Sequence, residues 1–536
     1  MPDSLSLTHT HTFIIAFSLR SSSNHHHFNQ VIDGGSTGSR LHIFEFVQYA
    51  NQKITVERRG SSRANVPLSA YGRLPSELDQ PLNSTHVADH LLPLFEYAAE
   101  VIPAAFHKTT RVQYQATAGM RLLEESEQEA VYDALYQGLL ESDSFVFSAL
   151  QRSDIATLSG DLEGFYGAVA ANYLQGMIDV TMRLVPTEET ALQDNFDDED
   201  DEPVAPMGAL DMGGSSTQIV FHTKDEESTS TCMEAQDGTV HCTEAQLEER
   251  DFFATSYLSY GVDQFRERLW STLVAERKQE EESFPEGACA AKTIKNPCAN
   301  KGFQVEWQGF TLVGSGDTQG CIKQVQRLIP HPDEPSDDIH LQEQSKWVGG
   351  IAHPPVRGKF LAMSLYFFTL DSLRHFSYPD AEAHEALNLS WPTPSIQELH
   401  NALNGLCSRD WEGDMEEHNR HNQHSFTRAE VLPHRCMEAV YMVTLLKDGF
   451  GFHPESRDIT FTFLVDGSEV EWSLGMAIAN YASQQAVNSD ADAPRHNATD
   501  DKEGSAKTTT TTTTQQTTTT VVPPATSFAQ PQSIRV

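Results

Sequence analysis

Two short segments of the chain carry an acidic residue followed by glycines and small hydroxyl residues. They read VIDGGSTGSR and ALDMGGSSTQIVF, and their acids, Asp33 and Asp211, lie 178 residues apart. When the two acids are aligned, Gly35 falls on Gly213. Glycine lets backbone N–H groups approach an anion closely, and Ser or Thr hydroxyls add further donors. Such residues could hold an anion such as phosphate, although one such turn alone is more often an ordinary hairpin.

The elements that position these turns are short β-hairpins. In each segment an apolar lead precedes the acid, and a second apolar run, LHIFEF or QIVF, follows the turn. This order predicts a strand, a tight turn and a returning strand. Two hairpins at domain spacing indicate a duplicated fold, with the two turns facing one another across a cleft.

Two further segments between the hairpins carry residues that could take part in chemistry. YQATAGMRLLEESEQEAVYDAL predicts a strand end, a turn at Thr117, Ala118 and Gly119, and a helix whose first N–H groups suit phosphate. An ordinary helix start is the alternative. SGDLEGFYGAVAANYLQG places Glu163 at the start of a helix rich in small residues. Glu163 is interpreted as a general base for water, the alternative being an acid that interacts with the helix dipole.

Composition limits the classes of partner. At 536 residues the chain has room for two substantial cores plus tails. Residues 187–203 are an acidic run and residues 508–520 are nearly all Thr, which predicts a solvated loop and a disordered tail. The net charge of −39 argues against nucleic acid, whose backbone it would repel. A nucleotide is not excluded, because local donors and a divalent cation can override the global field.

The cysteines suggest disulfides rather than a metal site. All seven lie after residue 230 and none forms a CxxC pair, so a structural zinc site is not expected. Cys232 with Cys242 and Cys407 with Cys436 are plausible bridges, and the odd count leaves at least one thiol free.

A location in the secretory lumen or outside the cell follows from these cysteines and from three N-x-S/T sequons, at Asn83, Asn388 and Asn497. The apolar run FIIAF is too short for a spanning helix or a convincing signal-peptide core. No spanning helix is visible in the sequence, and membrane attachment is left open.

The order and wording of the motifs resemble the apyrase or ecto-nucleotidase family, the nucleoside tri- and diphosphate diphosphohydrolases of the actin-like superfamily. DGGSTGSR, ATAGMRLL, GDLEGFYGAVAANYL and ALDMGGSSTQ are similar to the family's first four conserved regions, in the family's order. SYLSYG, NPCANKGF and the segment from Cys407 to Trp472 continue the likeness, which covers roughly residues 30–485. The resemblance implies an α/β fold of two RNase-H-like, actin-like lobes around a nucleotide cleft.

The resemblance also implies a division of the chain. Lobe I would comprise residues 30–155 with a closing helix at 466–485, and lobe II residues 156–465. An irregular segment, 1–29, would precede them and a disordered low-complexity tail, 486–536, would follow.

The implied activity is hydrolysis of nucleoside tri- or diphosphates, with Ca²⁺ or Mg²⁺ as cofactor and direct attack of water on the phosphate. Asp33 and Asp211 would hold the hydrated cation through its waters. Glu163 would be the base, with Ser216 and Gln218 orienting the attacking water. The residues expected to bind phosphate are Ser36, Thr37, Gly38, Thr117, Ala118, Gly119, Gly213 and Gly214.

Stacking on the nucleobase is the least specific of the implied roles. The best matching positions are Phe367, Phe368, Phe450 and Phe452, although any one of them could equally be a core residue. Trp472 is expected to pack near the Asp on the metal side.

Two positions depart from the family pattern. Ser215 replaces an Ala, and Ala168 replaces an aromatic residue behind Glu163. The second change puts the rate and the nucleotide preference in doubt more than the reaction type.

Three alternatives remain on the sequence alone. They are another actin-like phosphotransferase, a chaperone-type or cytoskeletal ATPase, and a nucleotide-binding protein whose catalysis is reduced or lost. The first has no reason to carry both ATAGMRLL and the Glu163 motif, and the second lacks a partner domain after residue 485. The third is motivated by Ala168.

Overall fold

The computed structural model describes residues 24–51, 53–72, 82–185, 206–223, 230–234, 240–244, 246–282, 292–329, 346–377, 389–421 and 423–492. Both of its large sheets belong to one compact unit that ends at Asn488. The acidic run at 187–203, the Thr-rich segment and two of the sequon residues, Asn388 and Asn497, lie outside the described residues.

The strands are β1 (His25–Gly35), β2 (Gly38–Gln48), β3 (Ile54–Ala64), β4 (Arg111–Ala116), β5 (Ile155–Thr157), β6 (Gly208–Met212), β7 (Ser216–His222), β8 (Ser230–Glu234), β9 (Val240–Glu244), β10 (Phe252–Leu258), β11 (Thr293–Asn296), β12 (Gln304–Trp307), β13 (Phe310–Gly314), β14 (Lys346–Val348), β15 (Ile351–His353), β16 (Phe360–Ala362), β17 (Ile459–Phe461), β18 (Leu464–Val465) and β19 (Ser468–Glu469).

The α-helices are α1 (Ser84–Asp89), α2 (Leu92–Val101), α3 (Ala118–Arg121), α4 (Glu125–Glu141), α5 (Gly160–Leu174), α6 (Val262–Glu282), α7 (Thr318–Leu328), α8 (Leu365–Phe376), α9 (Ile396–Cys407), α10 (Glu416–His421), α11 (Arg435–Thr444) and α12 (Trp472–Asp492).

The two large sheets have the same topology. The first runs β3-β2-β1-β4-β5 and the second β10-β7-β6-β16-β17. In each, an antiparallel meander of three strands is followed by two strands parallel to the first. The duplication predicted from the paired hairpins is therefore confirmed at the level of strand order, and the chain has the predicted two-lobed α/β fold.

Alternate side chains of the first sheet enter two different cores. Ile32, Leu41 and Ile43 pack with α2 and α4 on one side. Val31, Phe44 and Phe46 point the other way, into a core shared with α5 and α12. Since both faces are covered, β2 reads as an almost continuous apolar run. Helices α5 and α12 consequently lie in the layer that links the two sheets.

Close contact between α5 and α12 depends on a glycine. A Cβ on Gly475 would lie 1.8 Å from the carbonyl oxygen of Tyr166, so no larger residue fits without separating the helices. Farther along α12, the ring of Tyr481 stacks on that of Phe46 with 4.5 Å between the ring centroids. The first contact fastens α12 to α5 and the second fastens it to the first sheet.

Two disulfides occur among the described residues. Cys407–Cys436 joins the end of α9 to the start of α11 and confirms one predicted bridge. Cys298–Cys321 was not predicted. Cys232 lies opposite Cys242 in the β8–β9 ladder, and a bridge between them stays a prediction.

The ordered elements extend beyond the predicted boundaries at both ends. β1 begins at His25, inside the segment expected to be irregular, because residues 25–30 pair in register with β2. α12 continues to Asp492, past the expected start of the tail at residue 486. Within the part of the chain that the structure covers, no helix has both the length and the apolarity needed to cross a bilayer.

Candidate active site

The tips of the β1–β2 and β6–β7 hairpins meet at one point. A Cβ built on Gly214 would lie 3.2 Å from the Ser36 hydroxyl oxygen, so the second tip reaches the first. The second turn is closed by a hydrogen bond from the Gly213 N–H to the Ser216 carbonyl, at 2.9 Å. Gly38 has a φ of 144° and faces the Ala64 carbonyl, where a Cβ would lie at 2.3 Å. Only glycine suits this position.

The Thr117–Gly119 turn forms a third wall. The Thr117 N–H donates to the Gly34 carbonyl at 3.0 Å, which fixes the turn beside β1. A Cβ on Gly119 would lie 2.9 Å from the Ser36 Cα, so this glycine permits close contact with the first hairpin. The three segments expected to bind phosphate are thus neighbours in space.

Glu163 lies in the first turn of α5 and faces the second hairpin. The Ser159 hydroxyl caps the helix by accepting from the Leu162 N–H at 3.2 Å. A Cβ on Gly164 would lie 2.6 Å from a methyl group of Val220, so this glycine allows α5 to approach β7. As a result the Gln218 amide donates to the Glu163 carboxylate at 3.2 Å.

Gln218 connects Glu163 to two hydroxyl groups. Its Nε2 lies 2.9 Å from Ser216 Oγ and 3.0 Å from Ser256 Oγ. The predicted trio of Glu163, Ser216 and Gln218 is therefore one hydrogen-bonded group, and Ser256 is a neighbour that sequence reasoning missed.

Arg121 is a second residue that sequence reasoning missed. Its Nη2 donates to the Glu163 carboxylate, its Nε to the Leu158 carbonyl at 3.0 Å and its Nη1 to Ser256 Oγ at 3.4 Å. The arginine ends the ATAGMR motif, but nothing in the motif shows which acid it meets. The contact arises only when α3 and α5 pack together.

Burial and competing charges determine the pKa of Glu163. Burial raises it to about 7 and Asp211 adds to the rise, whereas Arg121 opposes both. A carboxylate with a pKa near neutrality can accept a proton from water and release it again.

Asp33 and Asp211 are partly buried acids, each with one buried carboxylate oxygen. Neither Oδ1 atom has a hydrogen-bond partner among the described residues. Burial raises the pKa of Asp33 to about 8, and Glu163 and Glu471 add to the rise. Burial also raises the pKa of Asp211, although the Ser364 hydroxyl and the Met212 N–H donate to it. Unpaired buried acceptors of this kind fit a cation approached through water.

The acids begin equivalent rows of side chains across the two sheets. In the first sheet Asp33 lies opposite Arg40, which lies opposite Arg63. In the second, Asp211 lies opposite Gln218, which lies opposite Ser256. Residues directly opposite one another share a face of the sheet. One row carries two cations, and the other carries an amide and a hydroxyl.

Arg40 is held in place by a partly buried acid. Its Nη1 lies 2.6 Å from Glu471, and His42 lies 3.0 Å from the same carboxylate. Although burial opposes it, these two residues lower the pKa of Glu471 to about 2. Glu471 directly precedes Trp472, which is buried in the core between the sheets.

The four phenylalanines proposed for stacking divide into two pairs. Phe450 and Phe452 are 0% and 3% exposed and pack against other core rings, which favours the alternative that they are core residues; their part in stacking stays a prediction. Phe367 and Phe368 lie one turn into α8, which begins beside Ser364. Both contact Phe426, an exposed ring that the sequence analysis did not single out.

The two departures from the family pattern lie in different surroundings. Ser215 is a buried member of the second hairpin tip. Ala168 is fully buried in the core between the sheets, and its carbonyl accepts from the Asn172 amide at 2.8 Å. Among the described residues, Ala168 makes no polar contact with the hydrogen-bonded group around Glu163.

The chain is similar to known proteins in sequence and in fold. The yeast Golgi apyrase from Saccharomyces cerevisiae is 24% identical over 85% of this chain and 70% of its own length. The nucleoside-triphosphatase ntp-1 of Caenorhabditis elegans is 24% identical over 84% of this chain and 72% of its own. A nucleoside triphosphate hydrolase structure from Neospora caninum has the same fold, with a TM-score of 0.55 at 13% identity over 86% of this chain and 93% of its own.

The model of one protein family, described as GDA1/CD39 (nucleoside phosphatase), matches residues 19–494. This match covers most of the chain and includes every motif discussed above. The chain therefore belongs to the GDA1/CD39 (nucleoside phosphatase) family and is a hydrolase of the apyrase type.

Proposed function

We propose that the protein hydrolyses nucleoside tri- and diphosphates by direct attack of a water molecule that Glu163 activates. The observation that carries this proposal is the position of the group around Glu163, which adjoins the point where the two hairpin tips meet. A reacting phosphate held by the tips would lie next to the base, as in-line attack requires.

The phosphate would be held by donors from three segments. Ser36, Thr37 and Gly38 supply hydroxyl and backbone donors from the first tip, and Gly213 and Gly214 supply backbone donors from the second. The turn at residues 117–119 supplies the third set. Such fixed donors stabilise the charge of the transition state without rearranging during the reaction.

Glu163 and its neighbours would act on the water. Gln218 donates to Glu163 and holds Ser216 close, so the amide and the hydroxyl can fix the water's orientation. Arg121 favours the ionised carboxylate, which must be unprotonated to accept the proton. No covalent nucleophile is required.

A hydrated Ca²⁺ or Mg²⁺ fits the buried oxygens of Asp33 and Asp211. When bound, such a cation neutralises charge on the phosphate oxygens. Asp33 and Asp211 would hold it through their Oδ1 atoms, which have no partner among the described residues. No group of three or more acidic, His or Cys ligands was found in that part of the chain, which favours binding through water over direct coordination.

The nucleobase of the substrate would stack near Phe367 and Phe368. These rings follow Ser364, the partner of Asp211, and Phe426 supplies an exposed aromatic surface next to them. Stacking on aromatic faces tolerates any base, so the arrangement is compatible with ATP, ADP, GDP and UDP alike. A lumenal or extracellular location is supported by the two disulfides and by the likeness to the yeast Golgi enzyme.

The test is phosphate release by the purified chain from ATP, ADP, GDP and UDP, with Ca²⁺, Mg²⁺ or EDTA. Release that depends on the divalent cation supports the proposal. The ranking of substrates gives the preference for the nucleobase and for the number of phosphates. Tight nucleotide binding without phosphate release at any cation concentration would overturn it and favour a binding protein.

A further inference from the structure

Arg63 lies at the phosphate end of the first sheet without an acidic partner. It is near the end of β3, directly opposite Arg40. Its Nη2 donates to the Thr37 hydroxyl at 3.2 Å, and it takes part in no ion pair among the described residues. A guanidinium has five N–H donors, so several remain for another acceptor.

The second sheet indicates which way this position faces. In that sheet the residue equivalent to Arg63 is Ser256, which lies opposite Gln218 and bonds to it at 3.0 Å inside the candidate site. Since the two sheets share one topology, the row from Asp33 to Arg63 faces the cleft as the row from Asp211 to Ser256 does. Arg63 is thus the counterpart, in lobe I, of a residue close to Glu163, the proposed general base.

Arg40 and Arg63 place two like charges side by side at this end of the sheet. Arg40 has Glu471 as an acidic partner at 2.6 Å, whereas Arg63 bonds to the neutral Thr37 hydroxyl. The side chain of Arg63 is exposed, so an anion from solvent can reach it. Desolvation and the neighbouring charge of Arg40 lower the pKa of Arg63. A cation in this position favours an anion beside Thr37.

We propose that Arg63 binds the phosphate chain of the substrate from the end of β3. It would contact the terminal phosphate beside Thr37, because arginine pairs with phosphate through two parallel N–H groups. The inference rests on the proposed function, since it concerns the same substrate and the same hairpin.

Arg63→Ala tests this directly in steady-state kinetics on ATP and ADP. The variant is expected to lower kcat/KM about tenfold, mainly through KM, as the loss of a charge-assisted hydrogen bond would. Arg63→Lys should recover only part of the loss, because an ammonium cannot pair bidentately. Arg250→Ala is the matched control, since that arginine is exposed and forms an ion pair with nearby Glu248.

A salt series separates contact from long-range attraction. The loss in Arg63→Ala should persist at about 0.5 M salt, where exposed charges at a distance are screened. A loss that disappears in high salt, or an Arg63→Ala variant that matches the wild type, would overturn the inference. An inactive wild type would instead overturn the proposed function, so the two failures are distinguishable.

Discussion

The two sheets have one topology and two chemistries. In both, a partly buried Asp begins a row of side chains that crosses three equivalent strands. In lobe I the row continues with Arg40 and Arg63, and in lobe II with Gln218 and Ser256. The two sheets therefore have the same strand arrangement, with different side chains at equivalent positions.

The difference suits the two halves of a hydrolysis. Cations in the first row suit the charged phosphate, whereas a neutral amide and hydroxyl in the second suit a water molecule and its base. The surroundings of the acids follow the same division. Asp33 interacts with Arg40, Glu163 and Glu471, whereas Asp211 accepts from the Ser364 hydroxyl and a backbone N–H. The first row would therefore govern binding and the second the rate of the chemical step.

The largest expected effect is that of Glu163→Gln. The substitution keeps the shape and removes the proton acceptor, so kcat should fall by about 1,000-fold, within the range of general bases. Nucleotide affinity, measured by calorimetry, should change little because the hairpin donors remain. A variant with more than a tenth of the wild-type kcat would show that another group accepts the proton.

Asp33→Asn and Asp211→Asn compare the two acids. Each should raise the metal concentration needed for half-maximal activity by about 10- to 100-fold, as loss of an outer-sphere partner does. The increase should be greater for Asp33→Asn, because Arg40 then repels the cation without its neighbouring acid. Metal titrations of activity measure both. Equal metal requirements for the two variants would contradict the expected difference between Asp33 and Asp211.

Gln218→Ala tests the neutral row. It removes the amide that joins Glu163 to Ser216 and Ser256, and kcat should fall about tenfold with little change in KM, as expected when a group that orients the base is lost. Gln137→Ala is the control, because that amide bonds to Glu141 on the exposed face of α4. A change confined to KM would place Gln218 with the binding residues.

Arg121→Met should move the pH profile with little effect at high pH. The base must be ionised, so wild-type kcat should fall as the pH drops through about 7, the pKa that burial gives Glu163. Arg121 lowers that pKa, and its removal should therefore shift the acidic limb to higher pH. Arg121→Lys, which keeps the charge, should shift it less. An unmoved limb would mean that Arg121 does not act through Glu163.

Local patterns were sufficient for the hairpins and the start of α5. Glycines beside an acid predict a tight turn, and Ser159 before Glu163 predicts a helix start, because both depend on residues close in sequence. These features place most of the candidate site. The family resemblance added the roles, which no local pattern supplies.

Contacts between distant elements could not be predicted in this way. The Arg121–Glu163 pair requires α3 to pack beside α5, and the Arg63–Thr37 contact requires β3 to pair with β2. The burial of Phe450 is a similar case, because an aromatic residue in an apolar segment reads alike in a core and in a binding site. Pairing with β2 orders His25–Gln30, although that segment is largely polar.

The most direct test of direct attack by water is hydrolysis of ATP in water enriched in heavy oxygen, with the products analysed by mass spectrometry. The account predicts one heavy oxygen in the released phosphate, none in the nucleotide, and no phosphorylated form of the protein during a single turnover. Label in the nucleotide product, or a phosphorylated residue that forms and decays at the catalytic rate, would contradict it.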